Sequence, residues 1–189
     1  MASRSFAAPA AYRFTRDEYY RMAEAGLFQD KRVELLDGEI ITMSPQLTPH
    51  AFSVHQLIYA LIPKLGSSAF VRVQAPIVLN DWSEPEPDIA VCQPSPDNYK
   101  QAHPRSDQVL LVIEVADSSL TYDRTRKAQA YAASGIPEYW IVNLIDRRIE
   151  VLTDPTPSTQ SYKQQRYAFS NDALLLPGGS SIAVTDILP

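Results

Sequence analysis

Glu114 stands inside Val109-Leu-Leu-Val-Ile-Glu-Val115, a run otherwise nearly continuous in apolar and β-branched residues, the pattern of a strand buried on both faces. An ionised carboxylate in that setting is heavily penalised by desolvation unless a cation, a hydrogen-bond donor or a metal meets it. Asp88 opens a second apolar stretch, Asp88-Ile-Ala-Val-Cys92, directly behind Pro87, and from there its carboxylate can reach a neighbouring strand. Two acids at the ends of adjacent strands form the usual oxygen cage for Mg²⁺, which takes one or two carboxylates and keeps several waters. Singly, either acid also reads as a strand-end residue bonded to backbone. The pairing is what points to a metal.

Lys127 follows Asp123 by four, the spacing of a solvated helical salt bridge worth a few tenths of a kcal/mol. Its helix, however, begins just past the strand of Glu114, so its first turns lie near that strand's carboxyl end. A lysine there can orient an attacking water or stabilise charge developing on a phosphoryl group. Glu34, within Val33-Glu-Leu-Leu36, is a fourth candidate. The alternation of a strand puts Val33 and Leu35 on one face and Glu34 on the other, which makes solvent exposure its simplest account. His50, His55 and His103 lack metal-ligand spacing; His50 and His55 fall on different sides of a helix, and surface or capping roles fit all three. No GxSxG, HExxH, Walker loop or GxGxxG occurs, so the common nucleophile and nucleotide sites are not visible.

These side chains need elements to hold them. Thr15 and Glu18 have capping-box spacing ahead of a helix from about Arg16 to Ala25. Asp37-Gly38, flanked by Val33–Leu36 and Glu39–Met43, predicts a two-residue hairpin. Thr48 as N-cap with Pro49 in the first turn starts a long amphipathic helix on Ala51, Val54, Leu57, Ile58, Leu61 and Leu65, kinked or ended by Pro63. Phe70–Val73 and Ile77–Leu79 read as strands, and Ser83-Glu-Pro-Glu-Pro87 as a turn leading into Asp88–Cys92. After a polar loop at 93–107 come the strand of Glu114, an Ala-rich helix at 122–134, a strand at Glu138–Asn143, a turn near Asp146-Arg147, a strand at Ile149–Leu152, and weaker strands over 161–169 and 174–184. Such an order describes an α/β chain with a mixed sheet and helices on its faces.

The 189 residues suit one domain, read here as 15–189 behind a loose arm at 1–14 with no secretory signal, which makes the cytoplasm the default compartment. One cysteine, Cys92, excludes a disulfide framework and a CxxC zinc pattern. Mean hydropathy of −0.20 and the lack of a long apolar window argue against a membrane protein. A net charge of −5 counts against extended phosphate contact and leaves only local basic patches for nucleic acid. The candidates are Arg124 and Arg126, Lys31-Arg32, and Arg147-Arg148.

The runs VELLDGEIITMSP, SEPEPDIAV and LLVIEVADSSLTYDRTRKAQAYAASGIPEYWIV resemble the Uma-two family of the restriction-endonuclease-like superfamily, whose active site is written PD…(D/E)xK. The resemblance spans about residues 15–185. It implies an αβββαβ core around a mixed sheet, preceded by a helix and a hairpin, and a Mg²⁺- or Mn²⁺-dependent site that cleaves phosphodiester bonds in nucleic acid, DNA in the first instance. Carried over by position, Pro87-Asp88 is the PD element, Glu114 the second acid, and Val115 the residue whose carbonyl also faces the metal. The pattern breaks at Ala116, where the superfamily has lysine; Lys127 on the following helix matches the residue that takes this role in the family. Glu34 matches a glutamate of the family's hairpin and so becomes an additional site acid. Members of the superfamily often pair, which makes a homodimer plausible. The rival reading is a non-catalytic module that retains the fold, binds nucleic acid or protein, and keeps the charged residues as a buried network.

Overall fold

The computed structural model describes residues 10–188. The first helix, α1 (Arg16–Glu24), opens with the expected capping box: Glu18 N–H donates to the Thr15 hydroxyl, and the Glu18 carboxylate accepts from Thr15 N–H. The hairpin β1 (Val33–Leu36) and β2 (Glu39–Thr42) turns at Asp37 and Gly38, which have φ of 52° and 73°. Positive φ at both turn residues matches the right-handed twist of the strands they join. A Cβ at Gly38 would meet Arg13 Cβ at 2.5 Å, because Phe14 N–H donates to Gly38 O and Arg13 Nε to Asp37 O, seating the chain before α1 on the turn. Of the arm expected at 1–14, residues 1–9 lie outside the described residues.

Helix α2 (Thr48–Leu65) continues through Pro63 and ends at Gly66, so the proline falls in the last turn. Its N-cap is Leu47 rather than Thr48, with no side-chain cap; proline in the first turn already removes one of the amide donors a cap would satisfy. The main sheet follows: β3 (Phe70–Val73), β4 (Ile89–Cys92), β5 (Val109–Ala116), β6 (Glu138–Asn143), β7 (Arg148–Thr156) and β8 (Ser161–Ala168) lie in that order. Only β5 and β6 are parallel; the other neighbours are antiparallel. Ile77–Leu79 is not a strand of this sheet. Val78 makes a single bridge to Arg105, and the amides of Ile77 and Leu79 bond to Pro85 O and Ser83 O, so the segment is held by a loop. Strand β7 runs past the expected Leu152 to Thr156, paired with β8 throughout. A small hairpin, β9 (Ala173–Leu175) and β10 (Ser181–Ala183), closes the chain.

The connection between β5 and β6 is helical over 120–133, here α3. It comprises one turn at Leu120–Tyr122, a π-helical segment at Asp123–Lys127, and α-helix again at Ala128–Ala133. Together α2, β3, β4, β5, α3 and β6 supply the expected αβββαβ order.

Strand alternation then decides which side chains meet. Ile89, Val91, Leu111, Ile113 and Val115 face α2, joining Val54, Leu57, Leu61 and Leu65 in one core. Ala90, Cys92, Val112 and Ala116 face α3 and pack with Ala128, Ala130 and Tyr131 in the other. Asp88 and Glu114 share the parity of this second set and therefore point to the α3 side.

Candidate active site

Ile89 pairs with Ile113 across β4 and β5, which sets Asp88 opposite Glu114. The two acids interlock through the backbone. Asp88 N–H donates to Glu114 Oε2 at 3.2 Å, and Val115 N–H donates to Asp88 Oδ2 at 2.9 Å. The other Glu114 oxygen, Oε1, accepts from Lys127 Nζ at 2.9 Å and from the Tyr131 hydroxyl at 2.7 Å. Lys127 and Tyr131 lie one turn apart, so one side of α3 delivers both.

Glu34 is a correction to the sequence reading. It does lie opposite Val33 and Leu35, but the side it faces is covered by α3, and its residual exposure is 2%. Its Oε2 accepts from Lys127 Nζ at 2.8 Å and from Glu86 N–H at 3.1 Å, and its Oε1 from the Tyr122 hydroxyl at 3.4 Å. The hairpin and β5 thus share one ammonium. The solvated Asp123–Lys127 pair does not form either: Asp123 is buried and accepts from the Ser119 hydroxyl at 2.6 Å, while Lys127 points at the two glutamates. The π turn explains this, because an extra residue per turn rotates Lys127 out of the usual i, i+4 register with Asp123.

His50 is the residue that spacing rules missed. Its Nε2 lies 3.0 Å from Asp88 Oδ1, and Gln74 Nε2 donates to the same oxygen at 3.2 Å. Searching for two histidines in ligand spacing finds nothing, since the relevant neighbour is a carboxylate 38 positions away. A lone histidine in the first turn of a helix after the hairpin is the only signal, and it is weak. His55 is exposed, and His103, on the loop before β5, accepts from Arg72 rather than meeting these acids.

Charge is unevenly distributed here. Asp88, Glu114, Glu34 and Asp123 are all buried, and among the described residues Lys127 is the only lysine or arginine bonded to any of them. Arg32 at the rim faces Glu86 at 3.6 Å. Burial pushes the Glu114 carboxyl well above the ordinary carboxylate range; Lys127 opposes the shift, and the other three acids add to it. Burial also carries Asp123 up to about 6, against the pull of the Ser119 bond and Lys127. Lys127 loses stability as a cation through burial, yet Glu114 and Glu34 hold it protonated above its ordinary value. For His50, burial is outweighed by Asp88 and the pKa rises. A cavity of about 260 Å³ opens over this cluster, lined by Glu34, His50, Asp88, Glu114, Asp123 and Lys127 among others.

The surplus of negative charge is what a divalent cation would neutralise. Among the described residues no set of three or more His, Cys, Asp or Glu is arranged to hold a metal. The hard oxygens of Asp88 and Glu114, with water completing the shell, are the donors that would suit Mg²⁺ rather than Zn²⁺.

The sequence profile described as "Uma2: Putative restriction endonuclease" matches residues 16–189. The chain belongs to the Uma2 family. Among solved structures it is similar to one titled as a putative nuclease belonging to DUF820 from Anabaena variabilis, with a TM-score of 0.71 and 13% identity, covering 92% of this chain and 97% of that one. At that identity the likeness concerns the fold, a mixed sheet flanked by helices. No curated protein matches the chain. Membership of the Uma2 family makes a restriction-endonuclease-like nuclease the function class. In this Uma2 chain the fully buried Ala116 stands where the superfamily pattern has lysine. Residue 116 shares the parity of Glu114, so a lysine there would rise from the strand on the α3 side; Lys127 descends to the same Glu114 from α3.

Proposed function

We propose that this chain is a metal-dependent endonuclease that hydrolyses phosphodiester bonds in DNA, with Asp88 and Glu114 as metal-binding acids, Lys127 as the charge beside the reacting phosphate, and Glu34 as an additional site acid. The observation that carries the reading is the meeting of Asp88, Glu114 and Lys127 beneath one cavity, despite the missing lysine at 116. Bound Mg²⁺ or Mn²⁺ would lower the pKa of a coordinated water and offset charge on the scissile phosphate. The chain's own residues do the rest. Val115 N–H and Gln74 hold the Asp88 carboxylate in one orientation, and Asp88 N–H with Tyr131 does the same for Glu114. Lys127, kept protonated by two glutamates, is aimed from the floor of the cavity and can hold a water or a phosphoryl oxygen. His50 donates to Asp88 Oδ1 and fixes the outer side of that carboxylate.

The test is plasmid or oligonucleotide cleavage with and without Mg²⁺ or Mn²⁺, run on the wild type and on Asp88→Ala. Metal-dependent cleavage by the wild type alone is the expected result, and cleavage at the wild-type rate by Asp88→Ala would sink the assignment.

One observation favours the module reading instead: both Glu114 oxygens and both Glu34 oxygens already have partners within the chain. A site that binds metal gains thermal stability with added cation by mass action, and a closed ion-pair network does not. Thermal melts with and without Mn²⁺ therefore separate the two.

A further inference from the structure

Four of the arginines offered for phosphate contact, Arg32, Arg124, Arg126 and Arg148, are committed to acids. Arg124 and Arg148 bond to Glu150, and Arg126 to Glu39 at 3.2 Å. Unpaired positive charge lies elsewhere. A second cavity, of about 540 Å³, opens between α1 and the loop before β5, with Arg16, Tyr20, Tyr99, Lys100, His103 and Arg105 in its wall and, among the described residues, no acid in its lining.

Each wall residue can be assigned. Arg16 and the Tyr20 hydroxyl both bond to the buried Glu84, which neutralises one charge and fixes both side chains. Lys100 and Arg105 are exposed and make no ion pair among the described residues. Arg72, behind them, lies 6.0 Å from the Tyr99 ring and donates to His103 Nδ1 at 3.1 Å. Since an arginine can only donate, His103 accepts on Nδ1, and in the neutral ring its proton is on Nε2 as a free donor. Arg72 Nε is buried with no partner among the described residues. Two acids stand on this loop: Asp97, exposed, accepts from Ser95 Oγ and the amides of Tyr99 and Gln101, and Asp107, also exposed, lies two residues beyond Arg105 and makes no ion pair among the described residues.

The cavity therefore presents donors and positive charge together with two tyrosine rings, in a chain whose net charge is −5. Its occupant must be an anion that also has a flat apolar face, and the volume lies within the usual range for one small ligand, roughly 300–1,000 Å³. Phosphate on cations with a base against an aromatic ring is how single strands are held. The location agrees. Glu84, under this cavity, and Asp88, at the carboxylate site, lie four positions apart on one segment, a span of at most about 14 Å when extended. A strand keeping the duplex rise of roughly 3.4 Å per nucleotide covers that distance in about four nucleotides, and a more extended one in fewer.

We infer that this cavity holds a nucleotide of the substrate strand away from the scissile phosphate, with Lys100, Arg105 and His103 on the phosphate and Tyr20 and Tyr99 beside the base. The inference rests on the nuclease reading above. It predicts that the double variant Lys100→Ala/Arg105→Ala binds a labelled, phosphorothioate-linked oligonucleotide in Mg²⁺ at least about tenfold more weakly, with a salt slope smaller by about 1.4–1.8 for two lost phosphate contacts. Lys100→Arg/Arg105→Lys, which keeps both charges, should bind like the wild type, and the melting shift given by Mn²⁺ should be the same in all three proteins. Unchanged affinity and slope in the double alanine variant overturn the inference and leave the nuclease reading standing. A single nucleotide that binds as tightly as the oligonucleotide overturns the assignment to a strand. Failure of the wild type to bind any oligonucleotide overturns both readings.

Discussion

Glu114 and Glu150 occupy one row of the sheet. Each pairs in register with Ile141, from opposite sides of β6, and both face α3 and are buried. Their surroundings are opposite. Glu150 receives Arg124 Nε at 2.9 Å, Asn143 Nδ2 at 2.8 Å and Arg148 Nε at 3.3 Å, so two guanidiniums serve one carboxylate. Burial alone would raise its pKa, but Arg124 and Asn143 bring it below the ordinary value. Glu114 shares one lysine with Glu34 and sits beside Asp88 and Asp123, and its pKa rises. A buried acid with more cations than it needs is a fastener. One with fewer is incomplete until something positive arrives.

This contrast can be broken most decisively by removing the acids themselves. Asp88→Ala or Glu114→Ala should abolish Mn²⁺-dependent cleavage while circular dichroism stays that of a folded chain; loss of the fold instead would make Glu114 a fastener like Glu150. Glu150→Ala should do the reverse. Leaving two arginines without their carboxylate costs about 3 kcal/mol after allowance for their partial exposure, which for a chain of this length lowers the melting temperature by about 6–12 °C. The melting shift with Mn²⁺ should survive. Lys127→Ala should slow cleavage by about 100-fold, the usual cost of one lost stabilising donor, and should retain the Mn²⁺ shift; loss of that shift would mean that the lysine builds the site rather than serving it.

The smallest effect is on pH dependence. Glu114 and Asp123 bind protons more tightly folded than unfolded, so between the ordinary carboxylate range and their raised values the folded state holds more protons. Stability of the metal-free chain should therefore fall as pH rises through that window. Melts between about pH 5 and pH 8 should show a decline of a few degrees, flattened by Mn²⁺. A rise over the same interval would contradict the incomplete character assigned to Glu114.

Much of this was legible in the sequence because it is encoded locally. The capping box of α1, the Asp37-Gly38 turn and the apolar run of β5 all appear where pattern places them. An acid inside or at the start of a buried strand announces itself, so Asp88 and Glu114 could be found; the position of its helix made Lys127 a candidate, which the family resemblance strengthened, and the resemblance raised Glu34. What escaped was set by distant chain. Alternation put Glu34 on the correct face but could not say that α3 covers that face. The i, i+4 rule misread Asp123 and Lys127 because a π turn is invisible to periodicity. His50 escaped because its partner lies 38 positions away, just before β4, and Ile77–Leu79 has strand residues but is claimed by the loop at 83–85.

The widened turn at Asp123–Lys127 has one more consequence. Arg124 leaves it toward Glu150, the Asp123 carbonyl accepts from the Tyr139 hydroxyl at 3.2 Å, and Lys127 leaves it toward Glu114. The turn is thus riveted to β6 and β7 at two points before its lysine ever reaches β5. A charge carried on such a bracket needs no address in the strand beneath it, which is how position 116 can be an alanine and the ammonium still arrive at Glu114.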